Sequence, residues 1–256
     1  MNANDPGQPP VTAAGSISTN LAVPRIALAI GAHPDDIEFG AGGTLAKWAQ
    51  AGCEIHHLVL TDGSKGTWDP TADTAALVAR RSREQVEAHI RLGGHGANDV
   101  HWLGRVDGEL VADIPGRSEI ARVIRAVKPD VVLSHDPWKR YRLHPDHRET
   151  GRLACDAIVA ARDPHFHPEH GLDPHRPLHL LLWEADEVNH IEDVEATVDI
   201  KLHALDAHES QFESTMKATD DDGLAAFRER MHQRLADIGA PAGFSAGEAF
   251  HLMSQL

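Results

Sequence analysis

Between Arg25 and Ala161, short apolar runs alternate with stretches in which apolar residues recur every three or four positions. Ile26–Ile30 (IALAI) predicts a buried strand that stops at Gly31-Ala32-His33-Pro34. Leu45, Trp48 and Ala49 then fall on one helical face, and Gly52 closes that helix. Ile55–Leu60 predicts a second strand. A helix capped by Asp73 or Thr74 runs from there to Leu92, where Gly93-Gly94 stops it. Asp99–Leu103 reads as a third strand, and Ile120, Val123, Ile124 and Val127 as a helix ending before Pro129. Val131–Leu133 reads as a fourth strand, and Leu153 to Ala161 as a fourth helix. After a Pro- and His-rich loop over Asp163–Pro177, the pattern predicts a strand at Leu178–Trp183 and another near Thr197–Ile200. A helix through Leu205 and a polar helix over Gly223–Ile238 follow. Strands alternating with helices imply an α/β, doubly wound, mostly parallel sheet with helices on both faces. The expected division is a disordered polar arm over residues 1–24 and a single domain over 25–256.

Composition narrows the function classes. Of 256 residues, 24 are Lys or Arg and 39 are Asp or Glu, a formal charge of −15. That excess of acid argues against nucleic acid or an anionic membrane as partner. No apolar run reaches the ~20 residues of a membrane span, and Met1–Asn20 has neither the basic nor the apolar region of a secretory signal. Cys53 and Cys155 lie far apart in apolar segments and are expected as buried reduced thiols. The expected compartment is the cytoplasm.

Two segments carry unusual chemistry: Ala32-His33-Pro34-Asp35-Asp36 after the first strand, and His144-Pro145-Asp146-His147 after the fourth. In a doubly wound sheet of order 3-2-1-4-5 these two strands are neighbours, and ligands bind at their C-terminal ends. Both clusters therefore face one crevice. Imidazole and carboxylate together suit Zn2+, with Fe2+ or another divalent metal as alternatives. His33, Asp36 and His147 make a ligand set. Asp35 is left free to take a proton from a metal-activated water, and His144 to donate to an oxyanion. Asp146 is placed to orient His144.

Other features have competing readings. Gly40-Ala41-Gly42-Gly43 could pass for a dinucleotide fingerprint, with Asp62 as ribose-binding acid. It comes late after the strand, however, and close helix packing explains the glycines. Trp138 either stacks on a sugar face or packs its own loop. Asp62 and Lys65 read as a solvated loop near the substrate. His165, His167, His170 and His175 read as a solvated or interface loop rather than a second metal site. His56 and His57 are expected to satisfy local hydrogen bonds, and His208 and His251 receive no role.

The segments GAHPDDIEFGAGGTLAKWAQAGCEIHHLVLTDGSKGT and HDPWKRYRLHPDHRETGRLA resemble the LmbE-like (PIG-L) zinc de-N-acetylases. The resemblance covers most of residues 25–215. Its last part, together with Gly247-Glu248-Ala249-Phe250, is most similar to the diacetylchitobiose deacetylase branch. It implies a Rossmann-like fold and hydrolysis of the acetamide on an N-acetylglucosamine unit. By position, His33, Asp36 and His147 match zinc ligands, Asp35 the general base and His144 the oxyanion-stabilising histidine. Arg81 and Asp107 match positions that hold sugar hydroxyls. It also implies a homo-oligomer, a trimer or hexamer, packed through Asp163–Pro177 and the C-terminal stretch.

Overall fold

The strand Ile26–Gly31, β2, lies inside the parallel part of the sheet because its side chains are apolar on both faces and all but Ile26 are buried. A computed structural model describes residues 17–256 of the chain. Its eight strands are β1 (Ser18–Thr19), β2, β3 (Glu54–Thr61), β4 (Val100–Arg105), β5 (Val131–His135), β6 (His179–Trp183), β7 (His190–Asp193) and β8 (Gly247–Ser254). They form one sheet in the order β1-β7-β8-β6-β5-β2-β3-β4. Strands β6, β5, β2, β3 and β4, the last at the sheet edge, are parallel and follow the expected 3-2-1-4-5 winding. Strand β8 runs antiparallel to both β6 and β7, which makes the sheet mixed.

Six helices flank the sheet: α1 (Asp36–Gln50), α2 (Thr74–Arg91), α3 (Ile114–Val127), α4 (Pro145–Arg162), α5 (Val198–Leu205) and α6 (Asp221–Gly239). Alternation along the strands sorts the core. Ala27, Ala29, Ile55, Val59, Val131 and Leu133 pack against α1, α2 and α5. Leu28, Ile30, Leu58, Leu60, Val132 and Leu180 pack against α3 and α4. Asp73 caps α2, its carboxylate accepting from the amides of Ala75 and Ala76 at 3.0 and 3.1 Å.

The segment expected as a strand near Thr197–Ile200 is instead a 3-10 turn (Glu195–Thr197) running into α5. Val198, Leu202 and Leu205 are spaced for a helix face, and they bury beside Phe227, Met231 and Leu235 of α6. Strands β7 and β8 were not expected: HIED has no strand-like apolar alternation, and its pairing partner lies more than fifty residues away. Residues 1–16 of the expected disordered arm lie outside the described residues. Within the rest of that segment, Ser18 and Thr19 pair with β7. The Asn20 side chain there accepts from Asp193 N at 2.9 Å, and Leu21 N donates to Glu192 at 2.7 Å.

The His-rich stretch 163–177 is loop with a short 3-10 turn at Pro168–His170. It is held by Arg125, buried to 2 % exposure. The guanidinium donates to the carbonyls of Ala160, Ala161, Asp163, Phe166 and His167. Cys53 is buried and Cys155 partly buried; both are free, and burial pushes each thiol up to about 12.

Candidate active site

Strands β2 and β5 are hydrogen-bonded neighbours, so the loops after them open side by side at the C-terminal end of the sheet. The loop after β2 turns sharply at Asp35, whose φ of 109° is in the left-handed region. Such a conformation costs a non-glycine residue on the order of 1–3 kcal/mol. It is held from behind by Gln85, whose Oε1 accepts Asp35 N–H at 3.0 Å. Thr61 fixes the start of the turn, donating to Ala32 O from both its amide and its hydroxyl at 2.8 Å. The turn puts Asp36 in the first turn of α1 and leaves the Asp35 carboxylate on the other side.

His33, Asp36 and His147 come together, with one donor atom of each within 4.8 Å of the others. His33 Nδ1 is 3.2 Å from Asp36 Oδ2, and His147 Nε2 is 3.2 Å from Asp36 Oδ1. Ligands of a four-coordinate metal with bonds of ~2.0–2.1 Å are spaced at about that distance. His33 Nε2 lies 3.2 Å from both Asp107 Oδ1 and Asp146 Oδ2. Those carboxylates keep a proton on Nε2 and aim Nδ1 at the ligand set. Burial works against charge on His33, but its bonds to Asp107, Asp146 and Asp36 outweigh it and raise its pKa well above the usual value. Burial also disfavours the Asp36 carboxylate, yet His147 and His135 hold it well below the usual range. These donors fit a divalent metal: imidazole and carboxylate lone pairs converge where a cation must compensate them.

Asp35 faces a cavity of about 770 Å3 that Asp36, His144 and Arg81 also line. Burial, reinforced by the Asp36 charge, raises its pKa to about 6 against the opposing pull of Arg81, His208 and His33. His144 precedes α4 and stands over the set, its ring centroid 4.6 Å from His33 and 4.8 Å from His147. Partial burial and the neighbouring His33 and His147 lower its pKa.

The other expected side chains have protein partners of their own. Among the described residues Asp146 makes no hydrogen bond to His144. It contacts His33 and accepts from the amides of Gly108 at 2.6 Å and Leu110 at 3.3 Å. Asp107, expected on a sugar hydroxyl, lines the cavity with one oxygen on His33 and the other accepting Lys65 N–H at 3.0 Å. Arg81, expected in the same role, is 2 % exposed and donates to the carbonyls of Gly63 and Pro34. Its remaining reach is to Asp35, 3.6 Å away. Trp138 neither stacks in the cavity nor packs its loop; it is 66 % exposed. Asp62 closes a turn by accepting from Ser64 and Asp107 amides, while Lys65 lines the cavity. The dinucleotide reading has no room. A Cβ on Gly40 would lie 2.5 Å from the Trp183 ring, and one on Gly43 would lie 2.9 Å from Val194. Close packing of α1 against Trp183 and Val194 accounts for these glycines.

The structure also adds residues. His135, the last residue of β5, places Nε2 3.3 Å from Asp36 Oδ2, and Trp183 Nε1–H donates to its Nδ1 at 2.9 Å. Its position at a strand end before the second motif was the available signal. Burial drives its pKa down to about 4, so it stands neutral with its hydrogen towards Asp36. Behind Asp35, Gln85 Nε2 donates to Glu38 Oε1 at 2.7 Å, and fully buried His208 sits 3.3 Å from the other Glu38 oxygen. His251, on β8, donates from Nδ1 to Glu187 O at 2.7 Å. Glu248 accepts from the amides of Gly43 and Thr44, which become free where α1 kinks at Ala41, and pairs with buried Lys201.

Two imidazoles and a carboxylate beside an unengaged carboxylate could hold a metal with one position open, the arrangement of metal-dependent hydrolases. A family model described as GlcNAc-PI de-N-acetylase (PIG-L) matches residues 28–158. The chain belongs to this deacetylase family. It is 38 % identical over 188 residues to the diacetylchitobiose deacetylase of Thermococcus kodakarensis, covering 72 % of this chain and 69 % of that one. It is 32 % identical to the 1D-myo-inositol 2-acetamido-2-deoxy-alpha-D-glucopyranoside deacetylase of Kineococcus radiotolerans, covering 54 % of this chain and 46 % of that one. Among solved structures, the N,N'-diacetylchitobiose deacetylase of Pyrococcus horikoshii superposes with a TM-score of 0.81 at 31 % identity, covering 90 % of this chain and 84 % of that one.

Proposed function

We propose that the chain is a zinc-dependent amidase that removes acetate from an N-acetylglucosamine unit of a small glycan or glycoconjugate. The observation that carries this reading is the different company of two adjacent carboxylates in one cavity: Asp36 joins His33 and His147 in the donor set, while Asp35 stays outside it beside Arg81. His33, Asp36 and His147 would hold the zinc, which when bound polarises the acetyl carbonyl and acidifies a water. Asp35 accepts the proton of the attacking water, with Arg81 and the Gln85 bond keeping its carboxylate in place. His144 donates to the oxygen that gains charge as the carbonyl becomes tetrahedral. Asp35 then returns its proton to the leaving amine. The cavity suits more than one sugar ring, and its far wall of Phe39, Val188, Met231 and Leu235 gives an apolar face to whatever follows the first ring.

Zinc content and acetate release from a panel of N-acetylglucosamine conjugates, including an inositol conjugate, test the reading together. Asp35→Asn should keep zinc while kcat falls by roughly 10²–10⁴. His144→Ala should keep zinc and lose on the order of 10²–10³. His147→Ala should lose both. Zinc lost in Asp35→Asn but kept at full rate in Asp36→Asn would reverse the two carboxylates.

The proposal extends to a cytoplasmic homo-oligomer, a trimer or hexamer. Supporting assembly, Trp138, Tyr141 and Leu143 expose 66, 90 and 94 % of their surface on one loop. Light scattering that gives a 27.8 kDa particle would remove the oligomer. Among the described residues no helix is long and apolar enough to cross a membrane.

A further inference from the structure

At the opposite end of the sheet from the active site, side chains converge around the start of β3 and β4. The eight residues of β3 separate the two places by on the order of 20 Å. Glu54, His56 and Asp99 each bring a donor atom within 4.8 Å of the other two. His56 Nε2 is 2.9 Å from Glu54 Oε1, and its other nitrogen, Nδ1, is 3.3 Å from His101 Nε2. Asp99 Oδ2 is 3.9 Å from His89 Nε2 and 3.8 Å from His95 Nδ1. Those last gaps are too long for hydrogen bonds.

His89 is the anomaly. Its side chain is fully buried, and among the described residues neither ring nitrogen has a hydrogen-bond partner. A buried imidazole with two unmet nitrogens is costly unless something else uses a lone pair. The cluster is also reachable from water. Glu54 and His95 expose 48 and 76 % of their side chains, while His56 and Asp99 expose 10 and 17 %.

We propose that Glu54, His56 and Asp99, with His89 as the buried fourth donor, form a second metal site for zinc or another divalent ion that favours imidazole. His56 binds through Nε2, and His101 accepts the Nδ1 hydrogen that fixes this tautomer, as partners of metal-bound imidazoles do. Two imidazole donors beside two carboxylates favour zinc, nickel or copper over calcium or magnesium, which take oxygen ligands. The ion ties the exposed edge strand β4 to β3 and to the C-terminal end of α2. It needs no part of the deacetylase centre, so the two sites fill independently.

Equilibrium dialysis of the full chain against ZnCl2 should give two zinc ions per chain. Asp99→Asn and Glu54→Gln should each bind one at the same free zinc, the second weakened by more than about 10-fold, with deacetylase activity retained. His147→Ala should also bind one. In that variant, zinc should raise Tm, and adding Asp99→Asn should abolish the rise. One zinc per chain in the unmodified protein, or two retained in both Asp99→Asn and Glu54→Gln, would overturn the second site. Glu54 is half exposed at the sheet edge, so Glu54→Gln keeps the test intact if Asp99→Asn folds poorly.

Discussion

Replacing Asp146 by Asn separates two accounts of how the metal ligands are held. Asp146 is fully buried, and its carboxylate faces His33 Nε2 at 3.2 Å while accepting from two backbone amides. An asparagine there keeps an oxygen for only one of the two amides, which bond to different oxygens of Asp146, and loses the charge that keeps the His33 hydrogen on Nε2. A hydrogen bond of this charge-assisted kind is worth about 1.5–3 kcal/mol. Asp107 shares the same nitrogen at 3.2 Å, so part of the effect survives. The remaining loss, about 1.4–2.7 kcal/mol, is a 10–100-fold weakening of metal affinity. Competition with a zinc-chelating dye measures it, and kcat of the fully loaded enzyme should fall far less than the affinity. Asp107→Asn should do the same, and the double variant should lose more than the sum, because each carboxylate covers for the other. Unchanged zinc affinity in Asp146→Asn, with a kcat loss matching that of His144→Ala, would refute the account and restore His144 as the partner of Asp146.

Three further outcomes follow from packing and protonation. His89 is held neutral by burial with a folded pKa of about 4 against 6.5 unfolded, so the unfolded chain binds a proton that the folded one refuses. Stability should therefore fall as pH drops from 6.5 towards 4, by about 2 kcal/mol at pH 5; urea unfolding in EDTA reads it, and His89→Leu should flatten that slope. Gly40→Ala drives a methyl into the Trp183 ring, which carries the hydrogen bond to His135; overpacking of this kind costs about 1–3 kcal/mol, and a thermal melt equal to the parent's would contradict the close contact. Arg125→Met strips five bonds from loop carbonyls at 163–167 and the end of α4. With the freed carbonyls partly regaining water, the loss is about 3–5 kcal/mol, seen by denaturant unfolding with kcat unchanged at 25 °C.

The central winding was legible in the sequence because each parallel strand is buried on both faces and each helix on one, so burial writes its own period into the chain. The pairing of the His33 and His144 motifs was legible for a related reason: winding order makes the strands before them neighbours, and both motifs follow strand ends. Strands β1, β7 and β8 were not legible. Their pairing is between segments up to 173 residues apart, supported by side chains such as Glu192 and Asn20 that look like loop chemistry in isolation. The tertiary structure alone assigned the partners of charged groups. Asp146 meets His33 rather than His144 because α4 turns its first-turn carboxylate inward, towards the loop after β2. Arg81 and Asp107 line the cavity, and folding also places carbonyls, an amide and other charges within their reach, which no sequence pattern shows. A buried charge takes the nearest such partner, because leaving it unpaired costs several kcal/mol. Which group is nearest is a property of how distant segments pack, and no local pattern encodes it.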